Sequence, residues 1–198
     1  MEKRAGKRQL QKEATRERII DTAMRVYVRQ GFSAPTREIV KAAGVAHGTV
    51  FVHFPTRADL QREVLAQFAA EIGGRLHDIS VADGSVEEML CAHIAVLTEY
   101  EDFYRNLLLE QSLLPFDTRS LLASLHSVAS LHFGTVAEQA RQAGTIKDIP
   151  LHMLFNTWLG LLHYYLQNSE LFAPGESVLK RRKTELVKTY IELIAKGE

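Results

Sequence analysis

The chain has a single cysteine, Cys91, among 198 residues, so no intrachain disulfide can form. Structural zinc sites usually draw on several thiols, which argues against a cysteine-built metal centre. A reducing compartment, the cytoplasm, fits that usage. Long apolar runs are also missing. The most apolar stretch, residues 151–166, is interrupted by His152, Asn156 and His163, short of the roughly eighteen unbroken residues that a membrane span needs. Residues 1–18 alternate charges without an apolar segment, so no secretory signal is expected. Strict apolar–polar alternation never lasts long enough for a sheet, and neither internal repeats nor low-complexity segments occur.

Net charge is absent too, but only in the sum. Residues 1–60 hold 12 Lys and Arg against 6 Asp and Glu, whereas residues 61–198 hold 12 against 18. A basic N-terminal unit facing a polyanion, joined to an acidic body, is the reading of that split. The basic tail Lys3, Arg4, Lys7, Arg8 and Lys12, taken alone, is equally well a solvated charge run.

What is present is helical period. The spacing predicts about nine helices, the first near 12–30 with Ile19, Ile20, Ala23, Met24, Tyr27 and Val28 on one stripe, stopping at Gly31. Short helices follow near 36–43 and 47–53, and Pro55 closes that unit. A longer helix begins after Thr56, its expected N-cap, and Gly73-Gly74 marks either its end or a soft point within it. Helices near 86–102, 103–113, 118–143, 149–168 and 177–195 complete an all-α chain. We expect a three-helix head at 1–55 and a helical body at 56–198.

Residues 36–54 carry the strongest signal. Ala43 is small where two helices meet, Gly44 tolerates the positive φ of a sharp turn, and Val45 plugs the angle. Ile39, Val50 and Phe54 then form a small core against Ile20, Ala23 and Tyr27. Arg37, Lys41, His47, Thr49 and His53 point outward, with Glu38 the one opposing charge. A short polar second helix of this kind suits the major groove of DNA, about 12 Å wide.

The ordered set Arg37-Glu38-Ile39-Val40, Ala43-Gly44-Val45 and Gly48-Thr49-Val50-Phe51-Val52-His53-Phe54, followed by Arg57, resembles the TetR family of repressors. That likeness covers about residues 12–68. Phe51 stands where the family usually has a phosphate-binding tyrosine, Pro35 where Ser or Thr is common, and His47 where serine is frequent. The resemblance and the chemistry together assign DNA contact to Thr36, Arg37, Lys41, His47, Gly48, Thr49, Val50, Phe51, His53 and Arg57. Arg37, His53 and Arg57 would be phosphate contacts, Thr49 and Val50 candidates near base edges, and Gly48 a point of close approach.

In the body, the helix near 149–168 is apolar nearly all round, with Leu154, Phe155, Trp158, Leu159, Leu162 and Leu166 on its main stripe and Met153, Gly160, Leu161 and Tyr164 on other faces. The resemblance implies that this helix and the last one form a dimer interface, through Phe155, Leu159, Leu162, Leu166, Leu186, Tyr190 and Ile194. It also places Tyr100, Phe103, Tyr104, Leu107, Phe116, Leu122, His126 and Trp158 around a pocket for an apolar or aromatic effector, although each is equally a core residue. His77, Cys91, His93, His126 and His132 lack the i, i+4 spacing that joins two metal ligands on one helix, so neither metal nor other cofactor is expected. Lys180-Arg181-Arg182-Lys183 is read as a solvated helix face. The expectation is an effector-released repressor, a homodimer on a palindromic double-stranded operator, with no membrane association. An architectural DNA binder without effector is the alternative. A helical enzyme finds no nucleophile–base pair or glycine-rich phosphate loop to support it.

Overall fold

In the computed structural model, which describes residues 2–80 and 84–197, helix α1 runs over Glu2–Gln30. It starts well before the apolar stripe that the sequence pattern required. Residues 6–14 are exposed, but they are mostly straight-chain residues that lose little freedom in a helix, and Gln9 donates to Glu13 at 2.7 Å, one turn on. The stripe itself buries Ile19, Ile20, Ala23, Val26 and Tyr27. At the end of α1, Gly31 takes φ 76°, and a Cβ there would stand 1.8 Å from the Glu110 carboxylate. The positive φ favours glycine, and any Cβ would displace the Glu110 carboxylate from its bond to Ser33 N.

Helices α2 (Thr36–Ala43) and α3 (His47–His53) meet at Gly44, whose φ of 62° ends α2 in the left-handed conformation. Helix α4 (Arg57–Ser80) opens with a reciprocal cap: Asp59 N donates to Thr56 Oγ1 at 3.1 Å, and Thr56 N donates to the Asp59 carboxylate at 3.0 Å. It then passes through Gly73 and Gly74 unbroken, so the glycines do not mark its end. Leu60, Val64, Leu65, Phe68, Ile72 and Leu76 are all buried across them. That burial outweighs the glycines' cost of about 1 kcal/mol each.

The body continues with α5 (Val86–Glu99), α6 (Glu101–Glu110), a 3-10 turn at Gln111–Leu113, α7 (Phe116–Gln142), α8 (Leu151–Gln167), α9 (Ser169–Phe172) and α10 (Val178–Ile194). Ten α-helices thus stand among the described residues, against about nine expected. The added one, α9, is a single turn and too short to show a period. Helix α4 lies chiefly on α7, and α10 on α5. Glu101, 6% exposed, accepts from Val178 N at 2.8 Å and Leu179 N at 3.3 Å, and from the Ser177 hydroxyl. A buried carboxylate therefore closes the positive end of α10.

Helix α6 also ties body to head. Asn106 Nδ2 donates to the carbonyls of Tyr27 and Val28 at 2.8 and 2.9 Å, and Glu110 accepts from Ser33 N at 2.8 Å. Buried side chains form one cluster from Ile19 to Ile194, and the expected 55/56 division lies in the link between α3 and α4. Among the described residues, no helix is long and apolar enough to cross a membrane.

Candidate nucleic-acid interface and effector-binding body

The small core of the head is the one the sequence predicts: Ile20, Ala23, Tyr27, Ile39, Val50 and Phe54 are each at most 3% exposed. Val50 therefore cannot reach a base edge. It sits one turn before Phe54, and both are buried in the core. The same phase turns Val52 outward at 73% exposure beside Phe51 at 39%. Sequence reasoning missed Val52, although its position two residues past a core residue places it on the opposite face of α3. His47 and Gly48 are exposed and Thr49 half-buried, with the His47 ring 5.0 Å from that of Phe51.

Neither short helix carries a side-chain cap: Pro35 precedes α2 and Ala46 precedes α3, both in extended conformation. Thr36 opens α2 half-buried; Arg37 and Lys41 stand exposed on it, the Arg37 guanidinium 3.7 Å from Glu38 with 79% of its side chain in solvent. His53 is held below the usual imidazole range by partial burial and by the charges of Lys12 and Arg16. Those two cations on α1 thus stand near the end of α3, and they extend the basic face beyond the residues predicted. Arg16 lies over the Phe54 ring at 5.2 Å and pairs with Glu63 at 2.7 Å. Arg57 donates to the Phe32 carbonyl, which also accepts from Gln61 Nε2 at 3.0 Å. One Arg57 donor thus fixes the α1–α2 loop.

The eight expected pocket residues do not surround one open chamber. Phe116 is 75% exposed at the start of α7, where the preceding Pro115 turns the chain outward, so it lines no interior. Phe103, Leu107, Leu122 and Trp158 are buried in the packed core. Tyr100 and Phe103 border a recess of about 580 Å³ between α1, the α5–α6 turn and the segment before α10, together with Arg25, Glu99, Asp102, Glu170 and Glu176. Tyr104 and His126 do meet. The Tyr104 hydroxyl lies 2.8 Å from His126 Nε2 and 2.7 Å from His163 Nε2. Behind them, Trp158 Nε1 donates to His93 Nδ1 at 3.1 Å. Burial holds His93, His126 and His163 each down to about 4, and it raises the Tyr104 phenol. His163 was not among the expected site residues. Its place in a helix pattern already filled with apolar side chains gave no separate signal.

The family model for bacterial regulatory proteins of the tetR family matches residues 19–64. The chain carries a tetR-family head. A curated relative, the HTH-type transcriptional regulator AcrR of Shigella flexneri, is 37% identical over 70 residues, which cover 35% of this chain and 33% of that protein. The match thus spans about a third of the relative's length. Over the whole chain the likeness is one of fold. A TetR-family transcriptional regulator from Agrobacterium tumefaciens superposes with a TM-score of 0.78 at 15% identity, covering 93% of this chain and 100% of that one. The regulator FadR from Bacillus subtilis, solved in complex with stearoyl-CoA, gives 0.70 at 16%, covering 88% and 97%.

Behind the tetR-family head, the residues expected at the dimer interface are turned the wrong way. Phe155, Leu159, Leu162, Leu166, Leu186, Tyr190 and Ile194 are all at most 9% exposed within the single chain. The most apolar stripe of each helix packs onto its own domain; Tyr190, for instance, donates to the Leu154 carbonyl and its ring lies tilted against Trp158 at 5.1 Å. The outward stripe of α8 holds Met153 at 47% and Tyr164 at 55% exposure, and α10 exposes Leu193 at 60%. In the basic run on α10, Arg181 pairs with Glu176 and Arg182 with Glu185, with Arg182 also donating to the Phe172 carbonyl. Among the described residues, no group of three or more His, Cys, Asp or Glu has metal-site geometry.

Proposed function

We propose that the chain is a transcription regulator, a repressor that binds a palindromic operator as a homodimer and is released by a small molecule held in the body. The observation that carries this reading is the face of α2 and α3: Arg37, Lys41, His47, Gly48 and Phe51 exposed together, with Lys12 and Arg16 nearby. Glu38 is the one acidic residue on these two helices. A helix of this length enters a major groove, and cations beside it hold the flanking phosphates. Val52 and Phe51 would meet thymine methyl groups, and Thr49 a base edge. The loss of the usual tyrosine at Phe51 shifts phosphate contact onto Arg37, Lys41, Lys12 and Arg16.

The dimer contact we assign to the exposed apolar side chains Met153 and Tyr164 of α8 with Leu193 of α10, replacing the buried set. Two heads joined there share a site of two half-sites about 34–36 Å apart. The working place of such a protein is the cytoplasm, and no catalytic step belongs to the reading. Selection of bound sites from random double-stranded DNA with the purified chain should return a twofold motif, and light scattering should give a dimer. Arg37→Ala should lower the slope of log affinity against log salt by about one. No salt-sensitive affinity for any duplex overturns the reading.

A further inference from the structure

We infer that the Tyr104–His126–His163 cluster is the anchoring site for the acid group of a small organic acid, a carboxylate with an apolar tail. The inference rests on the proposed effector-responsive reading for its biological sense, but not for its chemistry. The cluster draws one side chain from each of α6, α7 and α8, and the two imidazole rings stand 5.4 Å apart between centroids.

The hydrogen bonds constrain the protons. A phenol donates one hydrogen, so it gives it to one Nε2 and receives another from the second Nε2. One ring therefore carries its remaining hydrogen on Nδ1, and the other presents an Nδ1 lone pair. Among the described residues neither Nδ1 has a hydrogen-bond partner. Tyr104 is 2% exposed, whereas both histidines are only partly buried, so the accessible side of the cluster is the imidazole side. A donor and an acceptor left unmade on adjacent rings match a carboxylic acid. A proton taken from solvent occupies the free lone pair as the carboxylate binds, and the carboxylate oxygens accept from the two rings.

Electrostatics selects the same sign. Burial alone acts on His126, burial with the His126 and His93 imidazoles acts on His163, and no carboxylate contributes to either. Helix α6 supplies the Tyr104 phenol and α4 the apolar Phe68 ring, 6.1 Å from Tyr104. A cation would meet imidazoles with no counter-charge. An anion gives that counter-charge, and because burial keeps the rings neutral at pH 7, its binding draws in a proton. Leu122 and Leu159, one turn before His126 and His163 on their helices, are buried beside the rings, so an apolar tail would follow the partly exposed imidazole side.

The test is calorimetric titration of the full chain with octanoate and benzoate, beside octanamide, benzamide and octylammonium, in phosphate and in Tris at pH 7.5. At least one of the two acids should bind about tenfold more tightly than its amide, and the heat should vary with buffer as uptake of about one proton requires. His126→Leu and His163→Leu should each cost about tenfold in acid affinity and abolish the proton uptake. His152→Gln, an exposed imidazole elsewhere on α8, should leave both unchanged. Equal binding of acid and amide, no binding of either acid, or no proton uptake by the unmutated chain overturns the inference without need of any variant. Zinc binding that the same variants abolish, with no acid bound, overturns it in favour of a metal. An acid that binds but leaves DNA affinity unchanged sinks the effector-release part of the regulator reading alone, and a neutral molecule that releases DNA while no acid binds sinks the acid site alone.

Discussion

Head and body handle polar residues in opposite ways. The head turns Arg37, Lys41, His47 and Phe51 outward and keeps a mostly apolar interior, with Thr22 its buried polar side chain among the described residues. The body takes polar groups inside: Glu101 beneath α10, His93 against Trp158, and Tyr104 between two imidazoles. An exposed charge costs the fold little and is available to a partner. A buried polar group must find its partners inside the chain, so it fixes how helices sit against one another. Mutations should therefore separate cleanly, with large stability effects in the body and effects on binding alone in the head.

The largest effect expected is from Trp158→Asp. The indole is fully buried and donates to His93, so the variant leaves a void, an unpaired imidazole and a buried charge. A loss of about 5 kcal/mol or more is expected, read as absence of a cooperative thermal transition by circular dichroism. A folded variant would mean that the body tolerates what its packing forbids.

Acid comes next. His93, His126 and His163 have folded values near 4 against an ordinary 6.5, so below pH 6.5 the unfolded chain binds protons that the folded chain refuses. Stability is fully present above about 6.5 and falls as pH drops toward 4, by up to about 1.4 kcal/mol per pH unit for each ring. Urea unfolding at pH 7.5, 6.0 and 5.0 should show that fall, and His126→Leu should make it shallower. A flat profile would mean that the three rings are open to water.

Glu101→Gln should cost about 1–3 kcal/mol, because the carboxylate closing α10 loses its charge while keeping its shape. A melting temperature within a degree of the parent would show that α10 needs no anion there.

The same contrast explains what the sequence could reveal. Apolar period and helix punctuation are local, so α2, α3, the Gly44 turn and the Thr56 cap stand where the residues place them. The fit of Glu101 to α10 spans a separation of 76 to 78 residues, and the Tyr104–His163 contact spans 59. No local pattern announces either. The interface stripe failed for a related reason. On α8 every face is partly apolar, so period alone could not say that Phe155 and Leu162 turn inward and Tyr164 outward. Val50 carries two expectations, core by its spacing to Phe54 and base edge by family likeness, and its burial agrees with the first.

The smallest effect tests the head's side of the contrast. Tyr27 is fully buried, stacked 4.8 Å from Phe32, and its hydroxyl has no hydrogen-bond partner among the described residues. Here the head breaks its own rule, and removing the oxygen should restore it. With no bond to lose, Tyr27→Phe should leave stability unchanged or raise it by about 1 kcal/mol, measured as the urea midpoint at constant slope. A drop of similar size would mean that the hydroxyl is satisfied, by a trapped water beside Arg57, and that the head too depends on an internal polar contact.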